Sequence, residues 1–271
     1  MSAATDTLGT TQARRRSALA RLTITELRLA LREPMAVFWT IAFPLVLLVI
    51  FGLIPAFKTT HAGYQGLSVL EVYVPILILL MLGLSSFYMM PTTLATYRQQ
   101  GILRRLRTTP AGPARVLAAQ LVVTLGSEVV MVAAIVLLGR LAFAIPFPPA
   151  PGIWLIVALL ALAVTLSLGL FVAAIAPSPG MAYAGGAILF YPLMFFAGLY
   201  VPIQSLSAAL QHISHATPLG AADEAFQSAA LGHWPSALAL GTMAAYAVAF
   251  AVAAARLFRW ELPARRIGAG H

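Results

Sequence analysis

The stretch GIWLIVALLALAVTLSLGLFVAAIA, residues 152–176, runs for 25 positions without a single Asp, Glu, Lys or Arg. A helix rises 1.5 Å per residue, so about 20 apolar residues cross the roughly 30 Å of hydrocarbon in a bilayer. Working outward from it, residues 36–57, 70–95, 116–138, 182–201 and 236–257 are apolar over comparable lengths. The whole chain agrees: of 271 residues 61% are hydrophobic and 9% charged, with a mean hydropathy of +0.90. Soluble domains carry about 25% charge, so the sequence predicts an all-α polytopic membrane protein of six spans in one domain. Pro44, Pro75, Pro91 and Pro192 fall in or near the spans, where kinks are expected, because neighbouring helices can satisfy the freed backbone groups.

The net charge of +9 would point to nucleic acid if it formed one patch on a soluble domain. Instead the arginines sit in short clusters between apolar runs, and no nucleic-acid partner is expected. Basic residues favour the cytoplasmic side of short loops. Arg14, Arg15, Arg16, Arg21, Arg28 and Arg32 precede the first span; Arg98, Arg104, Arg105, Arg107 and Arg115 lie between the second and third; Arg256, Arg259, Arg265 and Arg266 follow the sixth. The other loops hold only Lys58 and Arg140. The division predicts N-in, C-in topology in the cytoplasmic (inner) membrane. The run from Ala36 to Phe57 exceeds the roughly 7–15 residues of a signal-peptide core and reads as an uncleaved span.

Three segments outside the spans carry pattern. From Ser17 to Glu33, with Pro34 beyond, the chain reads as a helix with Arg21, Arg28 and Arg32 near one line and apolar residues in the adjoining arc. It is expected to lie on the membrane surface, in contact with lipid. In the loop 97–115, Leu103 and Leu106 are embedded among arginines, and Gly101 and Pro110 frame a short helical turn. Positive charge alone would set topology; apolar anchors within a charged rim suit docking to a soluble protein. Between spans five and six, residues 202–235 hold no Lys or Arg. Here Leu206, Leu210 and Ile213 recur at one helical face, and a second short helix is expected after Pro218, from Ala221 to Leu231. This external segment can re-enter the outer edge of the membrane or lie as a surface loop.

Glu128 sits midway through span three, where a carboxylate costs at least about 2.5 kcal/mol and normally faces the bundle or water. It is a candidate for the transport path, or a hydrogen-bonded structural carboxyl. Tyr88, Tyr191, Phe195, Phe196 and Tyr200 offer flat apolar faces with polar tips to an amphipathic substrate, or pack helices. The pair Gly185-Gly186 permits close helix approach. His212, His215 and His233 lack a carboxylate or thiolate at ligand spacing, and the chain has no cysteine, so no metal site is assigned.

Two motifs carry a family resemblance: the loop Arg98-Gln99-Gln100-Gly101-Ile102-Leu103-Arg104-Arg105-Leu106-Arg107-Thr108-Thr109-Pro110, and Phe196-Ala197-Gly198-Leu199-Tyr200-Val201-Pro202-Ile203 leading through Leu210 to Pro218-Leu219. Across nearly its whole length the chain resembles the permease subunits of ABC-2 type exporters, which serve daunorubicin-like drugs, nodulation factors and surface polysaccharides. The family loop usually has an acidic residue near its start, where this chain has Gln99 and Gln100. The resemblance implies a dimer of six-helix subunits, a homodimer here, bound to two separate ATP-binding subunits. It places Tyr97, Arg98, Gly101, Leu103, Arg104, Arg105, Leu106, Arg107 and Pro110 at the ATPase contact, the N-terminal helix beside it, and the external helices over the exit. ATP and Mg²⁺ would belong to the partner, because this chain has no Gly-x-x-x-x-Gly-Lys-Ser/Thr phosphate loop and its one lysine is Lys58.

An ion-coupled secondary transporter is the main alternative function, yet such folds usually show internal repeats and several buried ionisable groups. An intramembrane enzyme would need a Ser/His pair, paired Asp or His-Glu-x-x-His within the spans, and none is present. The sequence therefore predicts a transport subunit, not an enzyme, that exports a hydrophobic or amphipathic substrate such as a drug, lipid or glycan.

Overall fold

The computed structural model describes residue 32, residue 35, and residues 38–60, 62–64, 66–102 and 113–258. Helix α1 (Phe38–Leu53) opens with one π-turn, Phe38–Ala42; α2 (Val69–Gln99) carries another at Ser85–Met89; then come α3 (Pro113–Phe143), α4 (Pro151–Ile175), α5 (Pro179–Phe196), the short α6 (Ala208–Ala216) and α7 (Pro218–Ala230), and α8 (Ala237–Leu257). Five of these, α2, α3, α4, α5 and α8, are long and apolar enough to cross a membrane. Helix α1 ends at Leu53, four residues before the end of the span expected over 36–57. The chain is a multi-pass membrane protein with, among the described residues, five long apolar helices and one shorter one.

Helix ends follow local chemistry. Ser68 and Glu71 form a capping box at the start of α2: the Ser68 hydroxyl accepts from the Glu71 amide at 3.2 Å, and the Glu71 carboxylate accepts from the Ser68 amide at 2.7 Å. Ser178 and Ser236 cap α5 and α8 in the same sense. The fifth span was expected to reach residue 201, but α5 stops at Phe196 because Gly198 takes φ +85° and turns the chain away.

The four prolines lie inside continuous helices, and two of them explain the π-turns. Pro44 and Pro91 each follow a π-turn by two residues. At the second, the Met90 amide donates to Ser85, and Pro91 has no N–H to give. The carbonyls of Ser86 and Phe87 thereby lose their usual intrahelical donors.

Those carbonyls meet glycines. A Cβ on Gly169 of α4 would sit 2.0 Å from the Ser86 oxygen, and one on Gly186 of α5 would sit 2.1 Å from the Phe87 oxygen. Only a bare Cα fits at either place, and it brings Cα–H toward each oxygen. The same turn accepts a contact from α1, where Thr40 Oγ1 points to Met89 Sδ at 3.2 Å, and from α3, where Glu128 receives the Ser86 hydroxyl. The π-turn of α2 is the hub on which α1, α3, α4 and α5 meet. Accordingly α2 is the most enclosed of the five long helices, while α3, α5 and α8 turn broad apolar faces outward, with Val130, Leu141, Ile188 and Leu238 exposed on the single chain.

At the opposite end from the 97–115 loop, α7 sinks between α2, α4, α5 and α8. Its small residues allow this: Gly220, Ala221, Ala222, Ala225 and Ala229 are buried, and Phe226 lies against Trp154 with ring centroids 5.4 Å apart. Helix α6 does not follow the expected face. Leu206 precedes it, Ile213 is exposed, and Ser214 is the buried residue. The reason is polar: Ser214 Oγ donates to the Phe196 carbonyl at 2.5 Å, which satisfies the end of α5.

Candidate functional site

Three places hold the residues with functional chemistry. The first is the root of the 97–115 loop. Arg98 is on the last turn of α2 and is 7% exposed. Its guanidinium donates from one terminal nitrogen to the Ala176 carbonyl at 3.0 Å and from the other to the Ala173 carbonyl at 2.6 Å, and it lies 5.2 Å from the Phe258 ring centroid. Ala173 and Ala176 close α4, where the last carbonyls lack intrahelical donors and a cation is favoured. Three residues further along the chain from Arg98, the Gly101 amide donates back to the Arg98 carbonyl at 3.1 Å, and Gly101 takes φ +69°, which ends α2. Arg98 therefore faces the protein interior and joins the loop root to α4. Tyr97 is half-buried beside it. Leu103, Arg104, Arg105, Leu106, Arg107 and Pro110 lie outside the described residues, as do Arg21, Arg28 and all but one residue of the expected 17–33 helix; Arg32 is described, in an exposed turn.

The second place is an aromatic face formed by α2 and α5. The Tyr88 ring lies 4.9 Å from Tyr183 and 5.3 Å from Phe190, and Phe190 lies edge-on to Tyr191 at 5.5 Å. Tyr183 and Tyr191 are 60% and 57% exposed. Their phenol tips give this surface a polar character that pure lipid contact does not require. Tyr200 is exposed beyond the end of α5, while Phe195 is half-buried and edge-on to Phe196. Tyr183 was missed in the sequence; its pairing with Tyr88 is tertiary, and no local signal separates it from a packing aromatic.

Glu128 is not on this face. It is wholly buried within the protomer, with Ser86 Oγ donating to Oε1 at 2.9 Å and Oε2 without a partner among the described residues. Its geometry is that of a tie between α3 and the hub.

The third place is the polar side of α7. His215 and Glu224 pair at 2.5 Å, and the Ser236 hydroxyl donates to the other Glu224 oxygen at 2.8 Å. Gln204 donates to Gln227 at 2.6 Å and Gln227 donates to Asp223 at 2.5 Å. Burial pushes the Asp223 carboxyl well above the usual carboxylate range, opposed by the Gln227 hydrogen bond and reinforced by Glu224. No three His, Asp or Glu side chains converge as a metal site among the described residues.

The described helices form a multi-pass membrane bundle, with the 97–115 loop rooted on α2 and tied to α4 through Arg98. The ABC-2 type transporter family matches residues 17–231, and the chain belongs to that family. It is a membrane permease, a transport subunit without a catalytic domain. Permeases of this family typically pair with ATP-binding subunits. No curated protein matches the chain.

Proposed function

We propose that this chain is the membrane half of an ATP-driven exporter in the cytoplasmic membrane. It works as a homodimer with six spans per subunit, both termini on the cytoplasmic side, and a separate ATP-binding subunit docked on the 97–115 loop. The N-terminal segment 17–33 lies on the membrane surface beside that contact. ATP and Mg²⁺ are held by the partner, and the cargo is a hydrophobic or amphipathic molecule such as a drug, lipid or glycan.

The observation that carries the reading is the Arg98 clasp. Because Arg98 holds the carbonyls that end α4, force applied to residues 101–110 acts on α2 and α4 together, and α4 in turn packs along α8. The ATPase has only to favour one position of the loop over another, since a ligand shifts an equilibrium by its differential affinity for two states. The face of Tyr88, Tyr183 and Tyr191 supports a path for amphipathic cargo, with rings for its apolar part and hydroxyls for its polar part.

The test is purification of the tagged chain in mild detergent, with co-purifying proteins identified by mass spectrometry. An ATP-binding subunit should accompany the parent and be lost with Leu103→Asp or Arg105→Glu, while membrane insertion is unchanged. Retention of the ATPase by both variants would remove the loop as its dock. Transport driven by a proton gradient with no ATPase bound would replace the reading by the ion-coupled transporter.

A further inference from the structure

Beside α7 lies a cavity of about 190 Å³ that the export reading does not use, lined among others by Gln204, Gln211, Asp223 and Gln227. Asp223 is 0% exposed, on a helix otherwise buried through Ala, Gly and Phe. Its Oδ2 takes the Gln227 amide, and its Oδ1 has no partner among the described residues. A buried carboxyl oxygen left without a donor is costly, so the place calls for one.

No described residue donates to it. Gln227 gives one N–H to Asp223 Oδ2 and receives Gln204 on its oxygen, which fixes the amide orientation. Gln211 gives its N–H to the carbonyls of Gln204 and Leu206. Glu224, which also lines the cavity, is engaged by His215 and Ser236. No Lys or Arg occurs anywhere in residues 202–235. The wall thus sets two carboxyls, Asp223 and Glu224, beside the hydroxyls of Tyr64 and Ser228 with no Lys or Arg, and Leu67, Ile203 and Leu231 add apolar surface.

We propose that this cavity binds a primary ammonium group on a short carbon stem, with Asp223 as its counter-ion. The ammonium supplies N–H donors and a positive charge that favour the ionised form of Asp223, which burial alone disfavours, and the stem lies along Leu67, Ile203 and Leu231. The group can come from an amine-bearing cargo or from an aminophospholipid head group. If it is cargo, the assignment rests on the export reading and places the amine at the exit end. Water is the competing occupant, at about 30 Å³ per molecule.

The experiment is thermal unfolding of the detergent-purified chain titrated with n-butylammonium chloride, with 1-butanol and tetramethylammonium chloride as controls. Butylammonium should stabilise saturably, and neither control should, since one lacks charge and the other lacks N–H. Asp223→Asn should weaken butylammonium about tenfold or more. Ser228→Leu, which fills the cavity wall and leaves the Asp223 carboxyl in place, should do the same. In lipid nanodiscs, about tenfold weaker butylammonium binding in phosphatidylethanolamine than in phosphatidylcholine assigns the site to the head group, and equal binding assigns it to a free amine. Stabilisation by butylammonium no larger than by butanol, or unchanged in both variants, overturns the proposal and leaves a water-filled cavity. No ATPase takes part, so this result and that of the docking test are independent.

Discussion

Removing the Arg98 side chain isolates the joint between the loop root and α4. Arg98→Ala deletes two charge-assisted hydrogen bonds, to Ala176 at 3.0 Å and Ala173 at 2.6 Å, each worth about 1.5–3 kcal/mol net. At 7% exposure the group has little solvent screening to discount. Water entering at this end of the bundle can satisfy part of what the two carbonyls lose, so the net cost is set at about 2–4 kcal/mol. At 2–4 °C per kcal/mol for chains of this size, the unfolding midpoint in detergent should fall by roughly 4–16 °C. Arg98→Lys keeps one charged donor and should recover about half of the loss, because an ammonium cannot span both carbonyls as the planar fork does. The readout is loss of monodisperse protein on heating, with Leu103→Asp as the control that alters the loop without touching the joint. A midpoint for Arg98→Ala within about 1 °C of the parent would show that α4 does not depend on the clasp, and the two-helix lever would lose its basis.

Two further outcomes follow from the geometry. Gly169→Ala or Gly186→Ala puts a methyl about 2 Å from a main-chain oxygen and should abolish folded yield, whereas Gly126→Ala on α3, which meets nothing within 4 Å, should express as the parent does; equal yields for all three would refute the hub. Because burial holds the Asp223 carboxyl above its unfolded value, the stability it confers is present below about pH 4 and lost as pH rises through the folded value. The parent's midpoint should therefore fall more steeply than that of Asp223→Asn as the pH is raised above about 4; parallel curves would show that the carboxyl is not buried as described.

The apolar helices were readable because the bilayer imposes one requirement, length of apolar run, that each segment meets by itself. Their ends were less so: the Ser68 and Glu71 box was present as a motif but is short against the run it opens, and Gly198 turns the chain inside a segment whose composition continues apolar. The hub was out of reach for another reason. Pro91, Gly169 and Gly186 are each visible, yet the Ser86 and Phe87 carbonyls freed by the proline meet glycines 83 and 99 residues further on, and no local pattern pairs them. Arg98 was read as one of the loop's positive charges and, by the resemblance, as part of the ATPase contact, whereas its hydrogen bonds lie on a different helix. In α6 the apolar spacing misled, since a single serine with a carbonyl to satisfy outweighs an apolar stripe at a membrane edge. The aromatic face was half readable: Tyr88, Tyr191 and Tyr200 stood out, and Tyr183 did not.

The hub also bears on how the protein is made. When α2 leaves the ribosome its Ser86 and Phe87 carbonyls have lost their usual helical donors, and the glycines that cover them are not yet synthesised. At about 5–20 residues per second, the interval between Pro91 and Gly186 lasts roughly 5–20 s. During that time α2 cannot be released into lipid without leaving polar backbone in hydrocarbon. It must wait beside the insertion machinery, or in the company of α1 and α3, until the later helices arrive, so the order of synthesis becomes a condition of assembly.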